Sequence, residues 1–172
     1  AIMNDAGKSA ASKITVNGDV NISMNGSYGG NGVAVQKTDR WGEASYASDV
    51  ANTITINGNL TIKGSDSETW GIPINADNVL SRFNNAGILA QVENSRVDVS
   101  GTADMDVYGN GITTNAKNST VSIGGGEINV PKGMNYGYYT LGAYQGTINV
   151  NTGKDGTAAG NNSVKLGGDI FA

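Results

Sequence analysis

The chain contains no cysteine and no histidine. Without cysteine there is no disulfide scaffold, no thiolate nucleophile and no zinc held by sulfur. Without histidine the usual transition-metal sites and the commonest general base are missing together. Proline and phenylalanine are nearly absent too, at two residues each, and charge is sparse: 11 basic and 15 acidic residues, for a net of -4. The charges are scattered and form no basic stripe, so no nucleic-acid partner is expected. No apolar run approaches the ~20 residues of a membrane helix, so no membrane insertion by this segment is expected. Residues 1–11 lack the charged and apolar regions of a signal peptide, and the expectation is that a signal was removed or that the chain is a piece of something longer.

What remains is a chain of small residues. It has 26 glycines and 38% hydrophobic residues, with asparagine, serine and threonine at most other polar positions. Low hydrophobicity and scarce aromatics also describe disordered tracts; the regular placing of isoleucine and valine argues for order. The units Ile14–Ile22 (ITVNGDVNI) and Ile54–Ile62 (ITINGNLTI) match position for position at a spacing of 40 residues. A third unit runs from Val97 through Gly101 to Val107, a fourth from Val121 to Val130, and shorter forms recur near Ile148 and Val164. In each, apolar residues and glycine share one parity and polar residues the other, the period-two signature of a strand with one face buried. The glycine lets the chain bend between two short strands. The fourth unit slips by one residue after Ile123, which predicts a bulge at Gly124–Gly126.

A strand-sized unit repeated every few tens of residues must stack on its neighbours to bury its apolar face. The expected fold is all-β: a right-handed parallel β-helix, or β-solenoid, of roughly five coils with loop and short-helix insertions. Stacked strands ~4.8 Å apart would make a rod on the order of 25 Å long. Outward pairs such as Asn17 over Asn57 and Thr15 over Thr55 are expected to form polar ladders. A β-sandwich is the competing fold, since short strands with glycine turns describe one as well. One domain over 1–172 is expected, with a frayed or capping lead-in at 1–12 and insertions near 37–52 and 76–86. In the second insertion 77–85 (DNVLSRFNN) reads as a short helix, and 70–75 (WGIPIN) reads as the counterpart of 31–36 (NGVAVQ).

The units ITVNGDVNI and ITINGNLTI, with the closing NTGKDGTAAGNNSVKLGGDI, resemble stretches of the passenger domains of bacterial autotransporters, the type V secreted surface proteins. The resemblance runs from Ile14 onward on motifs shared by many β-solenoids. It implies display at the bacterial cell surface or secretion, and the right-handed hand of the β-helix. It transfers no catalytic residue: protease passengers carry a motif such as GDSGS, which this chain lacks. The resemblance does not extend to a translocator barrel, so a segment of passenger only is expected.

The side chains offer three kinds of chemistry. Asp98, Asp104 and Asp106 share the outward parity, so three carboxylates could line one strand face, as in polysaccharide lyases and hydrolases of β-helix fold acting on acidic glycans. Only Arg96 stands near them in sequence, and solvated carboxylates are the plainer reading. The stretch GGNGVA at 29–34 lacks the aspartate of calcium-binding repeats, and the turns at 109–111 and 124–126 lack a phosphate-loop lysine. No metal or cofactor is therefore expected. An outward threonine pattern at Thr15, Thr55 and Thr61 raises ice binding, but Asp98, Ser100 and Asp104 interrupt it. The aromatics are the candidate ligand-binding residues: Tyr136, Tyr138, Tyr139 and Tyr144, with Trp41 and Trp70. Aromatic rings on a surface stack on sugars or anchor a protein; equally they pack over insertions or cap a core. The expected role is non-enzymatic, adhesive or spacing, with surface glycans or proteins of host or neighbouring cells as partners and self-association as a further possibility.

Overall fold

The structure is a computed structural model that describes residues 1–6, 9–24, 31–36, 47–64, 86–107, 109–130, 139–152 and 163–172. Trp41, Trp70, Tyr136, Tyr138, the stretch 77–85 and most of both insertions lie outside the described residues. Fourteen strands and no helix occur among the described residues. They are β1 (Ile2–Asp5), β2 (Lys13–Asn17), β3 (Val20–Ser23), β4 (Val33–Gln36), β5 (Thr53–Asn57), β6 (Leu60–Lys63) and β7 (Ala86–Ala90). The chain continues through β8 (Arg96–Asp106), β9 (Asn110–Thr114), β10 (Thr120–Asn129), β11 (Leu141–Ala143), β12 (Thr147–Val150), β13 (Val164–Gly167) and β14 (Ile170–Phe171). Among these, no helix is long and apolar enough to cross a membrane.

Every strand pairing among the described residues is parallel. One sheet has six strands in the order β1-β4-β7-β9-β11-β14, and the other has eight. Within the larger sheet two ladders run side by side and share the long strands β8 and β10. In the first, Ile14, Ile54, Val97, Val121 and Ile148 fall in register. In the second, Ile22, Ile62, Met105, Ile128 and Leu166 do so. A sandwich would pair its strands antiparallel. Parallel ladders of successive repeats are consistent with a β-solenoid instead, and the repeat units sit one above another as their matching sequences require.

The core lies between the sheets. Ile54, Ile56, Leu60, Ile62, Ile88, Ile112, Val121, Ile123 and Ile128 are fully buried and belong to one apolar cluster. Two of the inward columns meet through size complementarity. Gly32, Gly87 and Gly111 stack in the six-stranded sheet opposite Ile62, Met105 and Ile128 of the other sheet. A Cβ on Gly111 would lie 2.4 Å from Ile128 Cγ2 and 2.5 Å from the Thr140 carbonyl. The glycines thus create the room that the larger side chains fill. The expected irregularity in β10 is present, with the register against β8 shifting between Ile123 and Gly125. Gly126 there has φ of +124° and sits 2.3 Å, measured from its would-be Cβ, from the Ala103 carbonyl, so no other residue fits without distortion.

Three expectations change. Within the lead-in, expected as frayed or capping, residues 2–5 form strand β1, paired with β4 over four residues, which excludes the frayed reading, and Asn4 is buried with its amide donating to the Ser12 and Thr53 carbonyls at 3.1 Å each. The neighbour of NGVAVQ in the sheet is AGILAQ: Val33 pairs with Ile88 and Val35 with Ala90, while 70–75 falls outside the described residues. The six-stranded sheet is also buried on both faces at its centre, where every residue of β7 and β9 is buried. Leu89, Ala34 and Ala86 form a second small apolar cluster there. Unbroken apolar runs such as AGILA are the sequence form of a parallel strand covered on both sides.

Replacing Gly111 by alanine is expected to destabilise the chain by about 1–3 kcal/mol through overpacking, read as a lowered urea midpoint. Lys63→Ala, at an exposed position of β6, is expected to stay within about 0.5 kcal/mol.

Candidate functional site

The polar exterior is organised by side chains that accept backbone N–H groups from the next layer. Asp19 Oδ1 accepts from Asn59 N at 2.8 Å, Asn59 Oδ1 from Thr102 N at 3.0 Å, and Asp104 Oδ1 from Glu127 N at 2.9 Å. The same device recurs beside the six-stranded sheet, where Asn31 Oδ1 accepts from Ala86 N at 3.0 Å and Asn110 Oδ1 from Tyr139 N at 2.9 Å. Asparagine ladders occur where expected: Asn57 Nδ2 donates to Asn17 Oδ1 at 2.7 Å. Thr15 and Thr55 share register in the neighbouring column.

Corners between the sheets are where side chains project. After β7 and β9 the chain turns at Gln91–Ser95 and Asn115–Ser119, each with asparagine in the left-handed region, Asn94 and Asn118 both at φ 57°. Asparagine tolerates this backbone because its short polar side chain can bond locally. Ser119 closes the second turn, its N–H and hydroxyl both donating to the Ala116 carbonyl at 3.1 and 2.6 Å. The following layer lies over it: Tyr144 N donates to the Thr114 carbonyl at 2.8 Å and Thr147 N to the Ser119 carbonyl at 2.9 Å. Lys117, Asn118, Tyr144 and Gln145 are exposed on this corner, and Tyr144 retains 45% of its surface. Exposed Tyr144 and Gln145 are thereby layered by their backbone over the turn that carries exposed Lys117 and Asn118. Tyr144 was legible as a candidate from its residue type; Lys117, Asn118 and Gln145 were not, because only the stacking brings them together.

Tyr139 lies at the other end of β11. Its carbonyl accepts from Gly111 N at 2.9 Å, and its half-buried ring stands 5.1 Å from Phe171 at an interplanar angle of 31°. Tyr144 follows it by five steps of extended chain, roughly 16 Å. The structure therefore places these two tyrosines at opposite ends of one strand, and Tyr136 and Tyr138 lie outside the described residues.

The acidic residues do not line one face. Asp98 belongs to the ladder with Thr55 and Ser122 and is buried, with Arg96 Nε donating to its Oδ2 at 2.6 Å. Asp104 and Asp106 belong to the other ladder, beyond Gly101, and are exposed. The bend at Gly101 separates the two sets. Asp104 is also engaged on both oxygens, with Thr102 Oγ1 donating to Oδ2 at 3.3 Å. Among the described residues no group of three or more carboxylates is placed to hold a metal ion. The outermost layer adds an ion pair, Lys165 Nζ donating to Glu127 Oε1 at 2.8 Å. That hydrogen bond first, then one from Asn129, then the Lys165 charge, hold the Glu127 carboxyl below the usual carboxylate range. No family model, curated protein or solved structure matches the chain.

Because the folded-state pKa of Glu127 is lowered, the pair favours the folded chain above the ordinary carboxylate range. That contribution is lost as pH falls through the folded value. Lys165→Met is expected to return the Glu127 pKa toward the ordinary range, followed by carboxyl NMR titration. An unchanged titration would mean that the pair does not persist in solution.

Proposed function

We propose that the chain is a non-enzymatic segment of a bacterial autotransporter passenger, a right-handed parallel β-helix of about five coils displayed at the cell surface or secreted. Its task in this reading is to present a binding corner, or to space one from the membrane, with surface glycans or proteins of host or neighbouring cells as partners. The observation that supports an adhesive role best is the corner of Tyr144, Gln145, Lys117 and Asn118. A flat exposed ring offers a sugar face or a peptide a large contact area at small entropic cost, and flanking amides give hydrogen bonds of both kinds. Because Tyr144 is held by its backbone to Thr114, the ring is presented without a loop having to order first, which favours binding. The family and the surface location rest on the repeat units quoted above, and the number and hand of the coils on their spacing and that resemblance.

A glycan and matrix-protein array, run with and without calcium, tests this reading. Binding is expected, and Tyr144→Ala is expected to weaken it at least roughly tenfold, as for a central aromatic contact. Binding untouched by Tyr144→Ala would move the site away from this corner. No binding under any condition would leave the spacing role, and release of unsaturated oligosaccharides from an acidic glycan would replace the reading with an enzymatic one.

A further inference from the structure

The tripeptide pattern Asn-X-Ser/Thr occurs at Asn21, Asn25, Asn59, Asn118 and Asn161. Asn25 and Asn161 lie outside the described residues. Asn21 and Ser23 are exposed but lie within the extended backbone of β3, which is paired with β6, and Asn59 is held by the stack. It lies just before β6 and is bound on three sides: its N–H donates to Asp19, its carbonyl accepts from Val20 N at 2.8 Å, and its Oδ1 accepts from Thr102 N at 3.0 Å. Asn118 is different. It is exposed in the Asn115–Ser119 turn with left-handed backbone, and its amide makes one exposed contact, Nδ2 donating to Asn94 Oδ1 at 3.2 Å. Two residues on, Thr120 stands in the outward column with Thr53, Arg96 and Thr147, partly exposed, while Ser119 between them is fully buried. Of the two residues that define the acceptor pattern, Asn118 is thus exposed in the turn and Thr120 partly exposed at the start of β10.

We propose that Asn118 is an acceptor for asparagine-linked glycosylation. In the reaction the amide Nδ2 forms a bond to the anomeric carbon of a nucleotide-activated sugar. The bond from that carbon to the diphosphate breaks, the nucleoside diphosphate leaves and the amide releases one proton. A sugar there would stand on the same corner as Tyr144 and Gln145, so modification would cover or extend the surface that those residues form. The site itself rests only on the turn geometry and the pattern, and holds whether or not the corner binds a partner.

The test uses the purified, folded 172-residue chain, a soluble asparagine glycosyltransferase and UDP-glucose, with peptide mass spectrometry as readout. One added hexose is expected on Asn118, with Asn21 and Asn59 modified at least roughly tenfold less. Thr120→Val should abolish the addition while leaving Asn118 in place. Asn118→Asp should abolish it too, keeping a residue that tolerates the left-handed turn but has no amide nitrogen; unchanged urea midpoints would establish that both variants fold. No hexose on Asn118, equal modification of Asn21 and Asn59, or addition that survives Thr120→Val would overturn the proposal.

Discussion

Everything in this structure depends on one constraint, that each strand must find a parallel neighbour in register in the adjoining layer. A single ITINGNLTI unit cannot bury Ile54, Ile56, Leu60 and Ile62 alone; it does so because Ile14, Val16, Val20 and Ile22 lie beneath and Val97, Val99, Ala103 and Met105 above. Side chains of the same column therefore meet like with like, and the core is a set of columns instead of a jigsaw of unrelated neighbours. Slipping one strand by one residue would turn its aliphatic face outward and its asparagines inward. The register is thus fixed most firmly by residues whose chemistry is the least distinctive.

The polar exterior enforces the same register by a second route. Where the chain bends between two strands, backbone N–H groups lose their ladder partners, and an unpaired donor is costly. Asp19, Asn59, Asp104, Asn31 and Asn110 each accept such a group from the layer above. A short side chain ending in an oxygen suits this task, since its reach is about one strand spacing. Glycine supplies the complementary need. Gly32, Gly87 and Gly111 leave out a side chain where Ile62, Met105 and Ile128 come across from the opposing sheet. Abundant asparagine and glycine, which in isolation resemble the composition of a disordered tract, are here the parts that close the backbone.

How much of this could be read from the residues depends on whether a feature is local in sequence. Period two, the glycine between half-units and the slip after Ile123 are local, and each has its structural counterpart in β2 through β10. Strand β1 escaped notice because IMND shows little alternation, with Asn4 occupying an inward position that its bonds to Ser12 and Thr53 make tolerable. The pairing of NGVAVQ with AGILAQ was hidden because the residues between them postpone the match by 55 positions, from Asn31 to Ala86, and WGIPIN offered a nearer likeness. The split of Asp98 from Asp104 and Asp106 was concealed by their common parity, which says which way a side chain points along one strand but not that the strand bends midway. The corner of Lys117, Asn118, Tyr144 and Gln145 had no linear signal, being assembled by stacking across 27 residues.

These arrangements bear on where chemistry can reside. A catalytic carboxylate needs lone pairs free to take or give a proton, and a partner placed to meet the same substrate atom. Four of the described carboxylates spend acceptors on the fold: Asp19 and Asp104 on backbone amides, Asp98 on Arg96, Glu127 on Lys165. Removing such a group would loosen the stack, so evolution of a reaction on these faces would compete with the register itself. Corners meet the same obligation through amides instead of carboxylates. Their backbone is closed by left-handed asparagine and by serine within the turn, and between layers Asn118 Nδ2 donates to Asn94 Oδ1 and Asn94 Nδ2 to the Ser48 carbonyl.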